Sequence, residues 1–268
     1  MGRLIPNQLE SRDRPLQTPT MPADHVLTLS ALIFAAALLY SAVGHGGASG
    51  YLAAMALFGL APLEMKPAAL TLNVLVSSIA LLKYIKVGRF NWQLFWPFAA
   101  VSVPCAFLGG LILLPDIAFR PLIGAVLLYS AWRFLMDSSD QDYPLRRTDH
   151  RITLFAGAGL GFLSGLVGVG GGIFLSPLLI MLRWEQVSKV SGIAAGFILV
   201  NSIAGLAGFL SNHTTELPDG IVYWGIAAIV GGTIGAELGS KYLGNRMIKC
   251  LLALVLVIAG SKMLLTLL

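Results

Sequence analysis

The chain reads as an all-α integral membrane protein of two inverted structural repeats, each a glycine-broken helical hairpin followed by three transmembrane helices. Three observations predict this. Charged residues are 12% of the 268, against about 25% in soluble domains, while hydrophobic residues are 56% and mean hydropathy is +0.80. A glycine motif occurs twice, 124 residues apart, as Val43-Gly44-His45-Gly46-Gly47 and as Val167-Gly168-Val169-Gly170-Gly171-Gly172. At the same offset Val76-Ser77-Ser78-Ile79-Ala80 returns as Val200-Asn201-Ser202-Ile203-Ala204. A duplicated membrane segment interrupted by glycines is the pattern of a transporter whose substrate site lies where two repeats meet.

Residues 1–25 are polar, rich in proline and of mixed charge, and read as a loose tail. The apolar run that follows is not read as a cleavable signal, because it has a counterpart at residues 152–167. The first repeat covers residues 26–136, with apolar blocks at 26–43, 48–61, 66–86, 92–114 and 118–136. A polar linker at 137–151 leads to the second repeat at 152–268, with blocks at 152–167, 172–182, 189–210, 220–243 and 246–268. The blocks from 66 onward in each half reach the roughly 20 residues needed to cross about 30 Å of hydrocarbon. The arms around each glycine break are expected to fall short of that length and to enter the membrane and turn back inside it. Irregular backbone at such depth survives only where it is buried in protein or lines a cavity, so the glycine turns should face the interior between the halves.

A returning hairpin plus three crossings is an odd number, which inserts the second half upside down. Lysine and arginine test this. Apart from the tail, the inverted arrangement puts Lys83, Lys86, Arg89, Arg133, Arg146, Arg147, Arg151, Arg183, Lys189, Lys241, Arg246 and Lys249 on one side and only Lys66, Arg120 and Lys262 on the other. Four crossings per half would split the same residues nearly evenly. The rule then places both termini outside the cytoplasm, in a multi-pass protein of a bacterial inner membrane. The net charge of +5 is scattered over block ends, with no basic run or aromatic platform for nucleic acid. Cys105 and Cys250 lie inside apolar blocks and read as unpaired thiols.

Gly157, Gly161 and Gly165, spaced by four, read as a small-residue helix interface. The clustered glycines are different, since consecutive glycines break a helix at about 1 kcal/mol each relative to alanine. Their backbone N–H groups can face a ligand, and the helices that start near Ala48 and Ile173 direct positive dipole ends to the same place, which suits an anion. A nucleotide phosphate loop is excluded by the missing Gly-Lys-Ser/Thr ending.

The run Gly165-Leu166-Val167-Gly168-Val169-Gly170-Gly171-Gly172-Ile173-Phe174-Leu175-Ser176-Pro177-Leu178-Leu179 resembles the signature of the TauE/SafE family, the sulfite exporters, and the likeness extends over about residues 26–268. The resemblance implies transport of small sulfur-containing anions such as sulfite, sulfoacetate or sulfolactate, with no cofactor and no metal. The first copy departs from the signature at Ala48, opposite Gly172, and at Ala53, opposite Pro177, so unequal contributions from the halves are expected.

The substrate is therefore expected against Gly44, His45, Gly46, Gly47, Ser77 and Ser78 of the first half and Gly168, Gly170, Gly171, Gly172, Asn201 and Ser202 of the second. His45 could attract an anion or relay a proton, or be a packed hydrogen-bonding group. Asn73, Ser77, Ser78, Asn201 and Ser202 could donate to sulfonate oxygens or tie helices together. No lysine or arginine stands in the middle of an apolar block, so neutral donors are expected to hold the anion, with His45 the one source of charge. Glu237 is expected to pair with Lys241 one turn away, and His213, Glu216 and Asp219 to form a solvated loop. Two rivals remain: a passive anion channel using the same residues, and an intramembrane serine protease suggested by Gly47-Ala48-Ser49-Gly50, which lacks a histidine base in any later apolar block. No feature of the sequence specifies an oligomeric state.

Overall fold

The computed structural model describes residues 22–42, 44–136, 144–214 and 217–241, with positions 253, 257, 260, 261 and 264 of the C-terminal segment. Most of the expected tail, half of the linker, Cys250 and most of the last apolar block lie outside the described residues. Regular structure among the described residues is helical throughout: α1 (Ala23–Ala42), α2 (Ala48–Leu57), α3 (Pro62–Lys86), α4 (Trp92–Leu111), α5 (Asp116–Met136), α6 (His150–Val167), α7 (Gly172–Met181), α8 (Val187–Asn212) and α9 (Ile221–Lys241). Six of them, α1, α3, α4, α6, α8 and α9, are long and apolar enough to cross a membrane.

Each boundary has a local cause. Pro62 opens α3, where its missing N–H costs nothing, and Lys83 and Lys86 stand in the last turn against the negative helix end. The Asn91 side chain accepts the N–H groups of Gln93 and Leu94 and so starts α4. Asp149 does the same for α6 by accepting from Arg151 N–H at 2.8 Å.

That cap explains a correction to the expected arm lengths. α6 extends back over the polar His150 and Arg151 to 18 residues, and α1 starts at Ala23 for 20, so the first arm of each hairpin is long enough to cross. Only the second arms, α2 and α7, are short, at 10 residues or about 15 Å each. Even so, each hairpin closes on itself. The His25 ring at the start of α1 meets the Phe58 ring just after α2 at 5.4 Å, and Arg146 N–H, just before α6, donates to the Arg183 carbonyl just after α7 at 2.8 Å.

Small residues set the close packing between the halves. The expected ladder of Gly157, Gly161 and Gly165 on α6 lies against Phe98, Ser102 and Ala106 of α4. A second ladder, Gly231, Gly235 and Gly239 on α9, lies against Phe34, Leu38 and Ala42 of α1. These registers rise together, so α6 runs parallel to α4 and α1 parallel to α9. α8 runs antiparallel to α3, because Gly192 meets Tyr84 and Gly205 meets Leu70. α9 runs parallel to α3, because Gly232 meets Val76 and Glu237 meets Lys83. Helices α1, α3 and α9 thus point to one end of the bundle and α4, α6 and α8 to the other. Under the 124-residue offset α1 corresponds to α6, α3 to α8 and α4 to α9, and each corresponding pair runs in opposite directions.

At one end of the bundle Glu237 pairs with Lys83 at 2.6 Å, across the halves, a partner that its spacing did not suggest; the Lys241 side chain lies outside the described residues. Trp92 and Trp96, both exposed and stacked at 6.3 Å, stand at the start of α4 near that same end, where amphipathic rings anchor a helix at the lipid headgroups. His213 is half-buried and stacked on Phe209 at 4.9 Å, whereas Asp219 is exposed and Glu216 lies outside the described residues. Cys105 is unpaired and half-buried.

The ladders give a direct test. A methyl group at Gly161 would come within 2.6 Å of the Ser102 Cα, whereas one at Gly159 would meet nothing within 4 Å. Gly161→Ala is expected to cost about 1–3 kcal/mol of stability in detergent, and Gly159→Ala to be neutral or slightly stabilising. Equal unfolding temperatures for the two variants would contradict the packing.

Candidate functional site

The two glycine turns meet in the interior. Gly44, Gly47, Gly168, Gly170 and Gly171 all have positive φ, and Gly47 at 101° and Gly171 at 77° occupy the residue before α2 and α7 respectively. A side chain would be strained there, so glycine at both positions lets the chain reverse and start a new helix in one step. Gly46 and Gly170 then approach the same pair of side chains, Asn73 of α3 and Ile198 of α8. Every described residue from Gly44 to Ser49 and from Val167 to Ile173 is buried.

Asn73 joins the turns. Its Oδ1 accepts the Ala48 N–H at 3.0 Å, capping α2, and its Nδ2 donates to the Val169 carbonyl and to Ser202 Oγ, both at 3.3 Å. One carboxamide therefore holds the first turn, the second turn and α8, which is the full use of its fork of donors and acceptors. His45 adds a second tie across the halves, its Nε2 lying 3.2 Å from the Ser176 hydroxyl of α7. Both partners are buried, so the imidazole is a hydrogen-bonding group of the junction as well as a titratable one.

The other expected residues divide by environment. Ser77 donates to the Asn73 carbonyl at 2.5 Å and Ser78 to the Val74 carbonyl at 2.6 Å, both along their own helix. Asn201, at the position equivalent to Ser77, likewise donates its Nδ2 to the Phe197 carbonyl at 2.9 Å. Its Oδ1 is fully buried with no partner, and so is the hydroxyl of Ser164, whose Cβ lies beside Gly171. Gly172 is the first residue of α7 and faces Ile198. The N–H groups of Gly46, Gly47, Gly170 and Gly171 have no backbone acceptor among the described residues.

The halves are unequal. α2 has its first N–H held by Asn73, whereas among the described residues no side chain accepts from the first turn of α7, where the residue equivalent to Asn73 is Phe197. The difference was foreshadowed by the degenerate first motif, but its cause sits in α3 and α8.

Sequence reasoning missed two residues. Asn73 was one polar candidate among several, and only the fold shows that it alone reaches both turns. Lys66 was assigned to a block end facing water. Instead it is fully buried, donating to the carbonyls of Gly109, Gly110 and Ile112 at 3.4, 3.2 and 2.8 Å, with the Phe209 ring centroid 5.4 Å away. A Cβ on Gly168 would lie 3.2 Å from its Cγ, so the lysine stem runs along the second glycine turn. A buried lysine thus stands beside the second turn, where His45 was the one source of charge expected. The signal available in the sequence was Pro62, which opens α3 and so puts Lys66 in the second turn of the helix rather than before it. Ser49 donates to the Tyr40 hydroxyl at 2.8 Å, a structural bond with no histidine partner.

If Asn73 clamps the turns, Asn73→Ala should lower stability by about 1–3 kcal/mol, since it leaves a buried N–H and a buried carbonyl unsatisfied. Ser77→Ala, which removes one bond along a single helix, should cost less. Denaturant titration of the purified variants checks the order.

Comparison with known proteins places these features. Residues 29–263 match the family described as Sulfite exporter TauE/SafE. A protein of Sinorhizobium fredii described as a probable membrane transporter protein is 38% identical over 246 residues, covering 88% of this chain and 97% of the relative. One of Methanocaldococcus jannaschii, with the same description, is 27% identical over 203 residues, covering 70% and 74%. No solved structure matches the chain. A multi-pass helical bundle with paired glycine turns, matched over nearly its whole length, is thus a membrane transporter, and the chain belongs to the TauE/SafE sulfite exporter family.

Proposed function

We propose that this transporter moves small sulfur-containing anions, sulfite or organosulfonates such as sulfoacetate and sulfolactate, by alternating access at the junction of the two glycine turns. The observation that carries the reading is the meeting of both turns at Asn73 in the buried middle of the bundle. Two half-length helices direct their N-termini and several unused backbone N–H groups to that place, which favours an anion. The reversed directions of α1 and α6, α3 and α8, and α4 and α9 support an inverted repeat whose halves can rock against one another. The distribution of lysine and arginine supports a reading in which both termini lie on the periplasmic side of a bacterial inner membrane.

A junction buried as this one is fits a carrier's closed form better than a passive pore. The anion then enters as the turns separate and meets Gly46, Gly47, Gly170 and Gly171 N–H groups, the second Nδ2 proton of Asn201, which the bond to Phe197 leaves over, and the His45 and Ser176 pair. Protonation of His45 would add charge as pH falls.

A thermal-shift screen in detergent with sulfite, sulfate, sulfoacetate, sulfolactate, taurine and a carboxylate control tests the reading. Stabilisation by at least one sulfur oxyanion and not by the carboxylate is expected. For the anion that binds, Asn201→Ala should weaken affinity by about 1–3 kcal/mol, the loss of a hydrogen bond to a charged group, or roughly five- to 150-fold. If calorimetry finds Asn201→Ala equal to the parent for every sulfur anion, the site is misplaced.

A further inference from the structure

Lys66 is a charged side chain of the interior that the reading above leaves without a task. Its ammonium is fully buried, and its protein contacts are three carbonyls at the end of α4 and the face of Phe209, with no carboxylate among them. Carbonyls at a helix C-terminus carry about half a negative charge in total, so a full positive charge placed on them leaves an excess. A buried charge without an ionic partner costs several kcal/mol, and in a membrane protein such residues line substrate or ion paths.

The location tells what the excess charge faces. Lys66 belongs to α3 of the first half, yet its stem lies against Gly168 of the second glycine turn, and its Cα and carbonyl oxygen are 3.6 and 3.5 Å from a Cβ built there. By the first turn, where Gly44 meets Ser191 of α8, the residue in register with Lys66 is the buried, apolar Val190. The buried lysine stem therefore belongs to the second-turn side. The lysine side is also the side of α7, whose N-terminus has no side-chain cap among the described residues, so two positive features converge there. All three ammonium protons are donated to carbonyls, so in this closed form the charge acts through space and not by contact.

We propose that Lys66 is the fixed countercharge of the transported anion, a specificity-determining residue that makes the second glycine turn, and not the first, the side on which oxyanion charge is stabilised. This rests on the anion reading given above. The Lys66 charge offsets the α4 carbonyls that would otherwise repel an anion near Gly168, and what remains attracts it. Because that attraction is proportional to ligand charge, its removal should be felt twice over on a logarithmic scale by a dianion compared with a monoanion.

The test is calorimetric binding of sulfate and of methanesulfonate, similar in size but of charge two and one, to the parent, Lys66→Met and Lys66→Arg in detergent. Lys66→Met is expected to weaken methanesulfonate about tenfold and sulfate about a hundredfold, because the logarithmic loss scales with charge. Lys66→Arg should stay within about threefold of the parent for both. A purely structural clamp at the end of α4 would lower the unfolding temperature of Lys66→Met but change both affinities by one common factor, and that result overturns the proposal. Should Lys66→Met not be recovered folded, Lys66→Gln carries the same comparison. Where the parent binds a single probe, less than fivefold separation between Lys66→Met and Lys66→Arg overturns it. A parent that binds neither sulfate nor methanesulfonate, while sulfite or an organosulfonate stabilises it in the thermal screen, leaves the functional reading standing and refutes a countercharge of general oxyanion reach. A parent that responds to no sulfur anion removes both.

Discussion

The arrangement of this bundle depends on one carboxamide. Backbone groups that leave helical geometry inside a membrane must find partners in protein, and here two separate turns leave it within reach of the same residue. Asn73 accepts from the first turn and donates to the second, so one backbone group of each half's turn is satisfied by a helix that both touch. Ser202 completes the set from α8. Around this point the glycines are forced by geometry: positive φ where the chain reverses, and no side chain where Asn73 and Ile198 press in. The long helices then need only small-residue ladders to bring the halves together, which α6 and α9 supply against α4 and α1.

Electrostatics is arranged at the two ends of the bundle and differs between them. Near the ends of α3 and α9, Lys83 and Glu237 form a cross-half pair that is partly exposed and therefore weak and breakable. Towards the opposite end Lys66 is enclosed, held by carbonyls of α4. Rocking of the halves would load the Lys83–Glu237 pair, which spans them, and leave the Lys66 contacts with α4, which lie within the first half, intact.

Much of the architecture was legible because membrane segments are written in long apolar runs and because the chain states its pattern twice. The glycine turns, the α6 ladder and the blocks that became α3, α4, α8 and α9 follow from that pattern. The first arm of each hairpin was read too short, since caps such as Asp149 extend a helix into polar residues that hydropathy excludes. Partnerships across the halves were the least legible. Spacing does not reveal that Lys83 from another helix reaches Glu237; position puts Lys66 at a block end, but the end of α4 folds over it. Asn73 looked like its polar neighbours Ser77 and Ser78, and its role is a property of three elements meeting, which no single stretch of sequence contains.

The central claim is that the sealed junction opens alternately to the two sides. Ser202, fully buried against Asn73, reports on this most directly. With the native cysteines replaced, Ser202→Cys should react with a membrane-impermeant maleimide in right-side-out and in inside-out vesicles, slowly in both, and more slowly when the anion found by the thermal screen is present. Labelling from one face alone, or rates unaffected by a saturating anion, would contradict a carrier centred on the glycine turns.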